Sequence, residues 1–368
     1  MKFFLRVILA LVTIILIITI IAVCFMNFWK PFGDIPDKED KNLYKRAANY
    51  DFEKGKFFNE SEYRLIGNSG ENNFVSNKAT VPKAVIKAKT PNLKENLVLD
   101  DFSVTWFGHS TVLLQMHGMN ILIDPVFSEY ASPVKFVGPK RFSEIPMKID
   151  ELPEIDIVMI SHDHYDHLDY DSILRLKEKT KQFIVPLGVE NHLEEWGIDK
   201  EKIVSMAWWE ETTVNNLLIA CTPGVHNSFR LLQNRFSTLW CSFVFVDEYN
   251  KVFYTGDTGF GKHFSEIYDK YGEFDFALIE CGQYDVNWKF SHMIPEQSVE
   301  AGRILNADVI MPIHWATFKI ANHAWDDPVV RFVEEAKNKK VRYAVPKIGE
   351  TFNPKVEEKV EEWWIGIE

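Results

Sequence analysis

The nine residues Ser161 to Asp169, SHDHYDHLD, hold three histidines and three aspartates directly after the apolar run IDIVMI. A solvated loop is satisfied by any polar residues. Alternating imidazoles and carboxylates at this density suit a positive charge held from several sides, which is the donor set of a metal ion. His162 and His164 are two apart, so on an extended strand end they face the same way. Asp166 and His167 follow once the chain has turned, and can face a second ion.

Three more apolar runs end in the same kind of residue. IACTPGV precedes His226, VFYTG precedes Asp257 and VIMPI precedes His314. Ligands at strand ends converge along one edge of a sheet, where α/β architectures place their sites. With His162, His164, Asp166 and His167 these make seven donors. Two four-coordinate ions need eight, so one carboxylate must bridge, and Asp257 is the natural bridge because it offers two oxygens. A donor set without thiolate predicts two Zn²⁺ per chain, although it also accepts Fe²⁺ or Mn²⁺. Two ions roughly 3.5 to 4 Å apart hold a hydroxide at neutral pH and stabilise a developing oxyanion, which is hydrolytic chemistry. A single HxH at a strand end or an isolated GDTG turn has a plain structural explanation, but the ordered set does not.

Three further residues stand near this pattern. His109 in WFGHST and Asp124 in ILIDP are read as groups that orient ligands through hydrogen bonds, with a turn-anchoring role equally open for Asp124. His292 in WKFSHMIPEQ either caps the helix that follows or gives a proton over the site.

The elements that must position these residues lie beyond residue 95. SVTWFGHSTVLLQM and MNILIDPVF read as neighbouring strands; DYDSILRLKEKT and VENHLEEWG read as helices flanking the strand QFIVPLG. NLLIACTPGVH, TLWCSFVFVDE and KVFYTGDTG continue as strands, then the helix GKHFSEIYDKYG. The series closes with strand FDFALIECG, helix IPEQSVEAGRILNA, strand DVIMPIHW, helix DPVVRFVEEAKNKK and strand RYAVP. Clustered strands with interspersed helices predict an α/β fold of two packed sheets covered by helices. A chain of 368 residues, 46% hydrophobic, can fill such a core.

The N-terminus is a separate unit. VILALVTIILIITIIAVCFM, Val7 to Met26, has no charge, matching the ~20 residues that span a bilayer as a helix. Ile20, Val23 and Phe25 are poor neighbours for signal cleavage, so a retained single-pass anchor is expected. Lys2 and Arg6 precede the span and Lys30, Lys38 and Lys41 follow it, a mild bias that places the catalytic domain outside the cytoplasm. The expected organisation is an anchor over 1–28, a tether and N-terminal arm over 29–95, and a hydrolase domain over 96–368. Cys24 lies in the span, and Cys221, Cys241 and Cys281 lack CxxC spacing, so free buried thiols are expected outside it. A net charge of -12 without a basic stripe excludes a general nucleic-acid binder.

The motifs resemble the metallo-β-lactamase superfamily, whose signature HxHxDH is His162, His164, Asp166 and His167 here. Within it, WFGHSTVLLQ, ILIDPVFSEYASPVKFVGPKRF, VPLGVENHLEEWG, GDTG and IHWATF follow in order the N-acylphosphatidylethanolamine-hydrolysing phospholipases D, over roughly residues 100 to 350. The resemblance implies an αββα sandwich with one zinc on His162, His164, His226 and Asp257 and another on Asp166, His167, Asp257 and His314. It also implies that His292 lies near the substrate phosphate and that Asp166 helps to hold a bridging hydroxide as nucleophile. The implied reaction converts a membrane lipid, N-acylphosphatidylethanolamine, to an N-acylethanolamine and phosphatidic acid. Two alternatives compete: a hydrolase of a soluble phosphoester or lactone, similar to L-ascorbate 6-phosphate lactonase, and a non-catalytic membrane-tethered binding protein. Oligomeric state is not read from the sequence.

Overall fold

A computed structural model of the chain describes residues 2–63 and 79–367. Part of the expected arm, 64–78, lies outside the described residues. Two sheets form the body. The first runs in the order β15-β3-β4-β5-β6-β7-β8, with β3 (Phe102–Trp106), β4 (Val112–Met116), β5 (Met119–Ile123), β6 (Ile155–Met159), β7 (Thr180–Pro186), β8 (Ile203–Met206) and, at the edge, β15 (Thr351–Phe352). The second runs in the order β14-β13-β12-β11-β10-β9, with β9 (Glu211–Val214), β10 (Leu217–Thr222), β11 (Ser242–Val246), β12 (Lys251–Tyr254), β13 (Phe274–Glu280) and β14 (Ala307–Ile313).

β3 to β5 form an antiparallel meander, whereas β5 to β8 are parallel. β9 to β12 are antiparallel, and β12, β13 and β14 are parallel. Strands β10, β12, β13 and β14 therefore all finish at one edge of the second sheet, as β5 and β6 do in the first.

Strand periodicity explains why the central strands are apolar on both faces. Val112, Leu114 and Met116 of β4 enter the core between the sheets, while Leu113 joins a separate cluster on the outer face. The outer cluster is closed by α3 (Tyr170–Leu176) and α4 (Val189–Glu195) through Ile173, Leu176, Val189 and Leu193. Helices α5 (His263–Tyr271), α6 (Pro295–Ile304) and α7 (Asp327–Lys339) cover the second sheet, where Phe264 meets Phe253 at 6.4 Å. The layers run helix, sheet, sheet, helix. Between the sheets Phe276 of β13 contacts Phe102 of β3 and Phe352 of β15, each at 6.2 Å.

RYAVP makes an isolated bridge to Ile310 rather than a strand, because Pro346 has no N–H to extend the ladder. The short strands β8, β9 and β15 were not legible in sequence.

The first 63 residues hold α1 (Lys2–Phe28), α2 (Lys38–Leu43) and the hairpin of β1 (Tyr50–Asp51) with β2 (Lys56–Phe57). Within α1, Phe3–Met26 is long and apolar enough to cross a membrane, and its described side chains are exposed. The chain after it does pack. Trp196 Nε1 donates to Lys30 O at 2.8 Å, Arg230 donates from Nε and Nη2 to Pro31 O at 3.0 and 2.7 Å, and Asp34 N donates to His192 Nδ1 at 3.0 Å. Gly33 (φ 73°) permits this approach, since a Cβ there would lie 2.1 Å from His192 Nδ1.

Phe276→Ala removes a side chain that both sheets hold, so a loss of about 3–5 kcal/mol is expected, read as a thermal midpoint lower by roughly 10 °C. An unchanged midpoint in scanning calorimetry would mean that the sheets do not depend on this contact.

Candidate metal centre

β6 delivers the central ligands. His162 leaves the strand still extended, and the chain then turns so that the backbone N–H groups of His167 and Leu168 both donate to His164 O, at 3.1 and 2.8 Å. This turn brings Asp166 and His167 beside the pair His162 and His164. Asp163, between them, points the other way: its carboxylate accepts from Thr238 Oγ1 at 2.9 Å and lies 3.4 Å from His192 Nε2. His226, Asp257 and His314 follow β10, β12 and β14. Gly256 (φ 58°) lets Asp257 approach, because a Cβ there would lie 2.6 Å from Cys241 O.

All seven residues meet in one place. His162 Nε2 and His164 Nδ1 are 2.9 Å apart, His226 Nε2 is 3.3 Å from His164 Nδ1, and Asp257 Oδ2 lies 3.8 Å from both His162 and His226 Nε2. On the other side, Asp257 Oδ2 is 3.2 Å from His167 Nε2 and Asp257 Oδ1 is 3.2 Å from His314 Nδ1. Asp166 Oδ2 lies 3.5 Å from His167 Nε2. The Asp257 carboxylate thus touches both halves. Among the described residues three groups have ligand atoms within 4.8 Å of one another: His162, His164, His226 and Asp257; His109, Asp166, His167 and His314; and Asp257, His292 and His314. His109 joins the second of these groups, with Nε2 2.8 Å from Asp166 Oδ2.

The surrounding hydrogen bonds aim these ligands. Asp124, in a left-handed turn (φ 45°), accepts from Ser161 N and Oγ at 2.7 and 2.6 Å and from Tyr254 OH at 2.7 Å. The same carboxylate takes His167 Nδ1 at 2.7 Å, leaving Nε2 turned toward the cluster. His226 Nδ1 donates to Ser291 O at 2.9 Å, with the same effect.

The electrostatics fit a cation. Burial, reinforced by neighbouring imidazoles, holds His162, His226 and His314 well below the ordinary histidine range. Burial takes His164 down to about 4. Neutral imidazoles are the ligating form. Burial also pushes Asp257 up to about 6, against the pull of His167. His167 is the exception: against the cost of burial, Asp257, Asp166 and Asp124 raise it well above the ordinary value. Buried His167 Nε2, His164 Nε2 and Asp257 Oδ1 make no hydrogen bond. Polar atoms left without partners at this depth are costly, and a metal ion is the group that this donor set satisfies.

A pocket of 490 Å³ opens over the cluster, walled by Tyr63, Phe229, Arg235, Trp288, His292 and Ile320. His292 stacks on His314 with centroids 5.4 Å apart, and its Nδ1 meets Glu280 Oε1 at 2.6 Å. It therefore faces the site rather than capping α6, whose N-cap is Ile294. Sequence reasoning missed Glu280, although it ends β13 just as the ligands end their strands. It also missed Arg235, which no local pattern marks.

Residues 119–315 match the Beta-lactamase superfamily domain. The chain belongs to the metallo-β-lactamase superfamily. It is similar to an uncharacterised protein of Mycobacterium tuberculosis, 39% identical over 78% of this chain and 77% of the relative. It is also similar to N-acyl-phosphatidylethanolamine-hydrolyzing phospholipase D 1 of Caenorhabditis elegans, 36% identical over 61% of this chain and 68% of the relative. Igni18, a metallo hydrolase of Ignicoccus hospitalis, shares the fold with a TM-score of 0.53 at 22% identity, covering 68% of this chain and 97% of that one. The αββα layers are those of the metallo-β-lactamase fold, and the chain is a metal-dependent hydrolase of this superfamily.

Asp124→Asn tests the orienting role, because asparagine tolerates φ > 0 but offers one acceptor oxygen where four donors converge. Divalent-metal affinity, probed with Zn²⁺ by competition with a chromogenic chelator, is expected to fall about 10–100-fold with the fold intact by circular dichroism. Wild-type affinity in this variant would leave Asp124 as a turn anchor alone.

Proposed function

We propose that this metallo-β-lactamase hydrolase is a phosphodiesterase of phospholipase D type acting on N-acylphosphatidylethanolamine-type lipids in the membrane that α1 enters. The observation that carries the reading is the 36% identity to the Caenorhabditis elegans phospholipase, taken with a pocket over the cluster whose walls combine the apolar Phe229, Trp288 and Ile320 with the cationic Arg235. Two zinc ions are proposed, one held by His162, His164, His226 and Asp257 and the other by Asp166, His167, Asp257 and His314, with His109 in reach. When bound they supply Lewis acidity and positive charge to the phosphoryl group.

The chain's own residues have separable tasks. Arg235, stacked near Phe229 at 5.4 Å, meets the anionic diester and orients it. Phe229, Trp288 and Ile320 exclude water around the lipid. Asp166, fixed by His109, takes the proton of the attacking water. His292, held at Nδ1 by Glu280, gives a proton from its other nitrogen to the departing N-acylethanolamine oxygen. One P–O bond forms and one breaks, leaving phosphatidic acid.

We propose further that the protein is a single-pass membrane protein. α1 is long and apolar enough to be an anchor, and the charges flanking it favour an extracytoplasmic domain.

The test is mass spectrometry of lipid products from zinc-loaded full-length protein in vesicles containing N-acylphosphatidylethanolamine. N-acylethanolamine and phosphatidic acid are expected, with Asp257→Asn lowering the rate by at least about a hundredfold. Intact lipid alongside turnover of soluble phosphoesters or lactones would replace this reading, and a full binding role without any turnover would point to a non-catalytic protein. His292→Gln should lower kcat about 10²–10⁴-fold and remove a limb of the pH–rate profile. If it changes KM alone, His292 positions substrate and transfers no proton.

A further inference from the structure

The loop between Tyr130 and Lys140 is closed at its base by a bridge between those two residues, and Ala131 N donates to Pro139 O at 3.0 Å. Its tip carries Phe136, 80% exposed, and Val137, 58% exposed. Large apolar side chains are rarely presented this way at the tip of a loop in water. Neighbouring cations do not explain the tip: Lys135 pairs with Asp171 at 2.5 Å and Lys140 with Glu129 at 2.9 Å.

Two observations say what covers it. At one side the loop is fastened to the end of α1, where Trp29 Nε1 donates to Pro133 O at 2.6 Å. Phe28 and Trp29 line a groove of 840 Å³ together with Pro133, Val134, Tyr170 and Leu174. A tryptophan at the end of an apolar span belongs to the level of the lipid headgroups. At the other side the base of the loop, Ala131 and Pro139, lines the metal pocket. The chain between α1 and α2 is held to the body at Lys30, Pro31 and Asp34, so the helix end and the loop keep one geometry.

We propose that the Tyr130–Lys140 loop is a second membrane contact, placing Phe136 and Val137 in the same leaflet that α1 leaves, so that the metal pocket opens onto the lipid surface. The proposal deepens the phospholipase reading and rests on α1 being a membrane span. Its occupant is the bilayer. Because the flanking lysines are paired, the contact is apolar and insensitive to salt, unlike attraction to anionic headgroups.

The experiment uses the full chain in lipid nanodiscs holding one copy each. Cys24→Ser removes the exposed thiol, the other three cysteines being buried. An environment-sensitive fluorophore is placed by Phe136→Cys or, for comparison, by Val356→Cys. Val356 is 79% exposed and follows Lys355, whose Nζ donates to Tyr249 O in the β11–β12 turn, at the opposite end of those strands from Asp257. Blue-shifted emission and quenching by shallow spin-labelled lipids are expected at 136 and not at 356, unchanged between low and high salt. Emission at 136 equal to that at 356 overturns the proposal. So does quenching found only in discs with two copies, which would assign the patch to a second chain.

This reading is independent of turnover, so it stands or falls separately from the lipid assay. Where turnover is found, the double variant Phe136→Ser and Val137→Ser should lower the ratio of activity on vesicles to activity on the same lipid dispersed in detergent by about tenfold. An unchanged ratio removes the loop from lipid delivery.

Discussion

The carboxylate of Asp124 is the interaction on which the site depends. It receives Ser161 N and Oγ beyond β6, Tyr254 OH at the end of β12 and His167 Nδ1, so one buried group joins the two sheets and a histidine of the cluster. Four donors on two oxygens leave little freedom for any of them. His167 is consequently fixed in tautomer and direction by a residue that touches nothing in the pocket. The left-handed backbone at Asp124 is strain that this network over-determines.

Beneath it, Arg230 performs the corresponding task for the loop. Its buried guanidinium lies between Tyr165 at 4.1 Å and Trp196 at 5.2 Å and donates to the carbonyls of Asp163, Leu168 and Pro31. A planar cation with five donors can satisfy three carbonyls at once where a lysine could not. The histidine loop and the segment after α1 are thereby parts of one assembly. The end of α1 and the histidine loop are coupled by hydrogen bonds through the body of the protein rather than by a length of free chain.

The cluster also sets a local electrostatic environment unlike that of the acidic protein as a whole. Burial keeps His162, His226 and His314 neutral, the carboxylates around His167 hold that ring in its charged form, and Arg235 adds a cation to the pocket wall. The local field is set by these groups and by the ions they can hold, whatever the net charge. Glu280 contributes by burial as well: desolvation drives its carboxyl well above the usual range, which permits a short contact with His292 at little cost in local charge.

The sequence by itself determined the His/Asp cluster able to hold metal, its order and the strands that carry it, because strand periodicity and the His/Asp donor types are local properties. It also marked α1 through an unbroken apolar run. Tertiary structure decided which nitrogen faces the cluster, since this depends on distant partners such as Ser291 for His226 and Asp124 for His167. It decided that His109 comes within reach of Asp166, that Glu280 meets His292 and that Arg235 lines the pocket, contacts between strand ends and loops that no spacing encodes. The contacts of the N-terminal arm escaped the sequence for the same reason: with little apolar periodicity of its own, it is held by backbone carbonyls and a few side chains whose partners lie more than a hundred residues away.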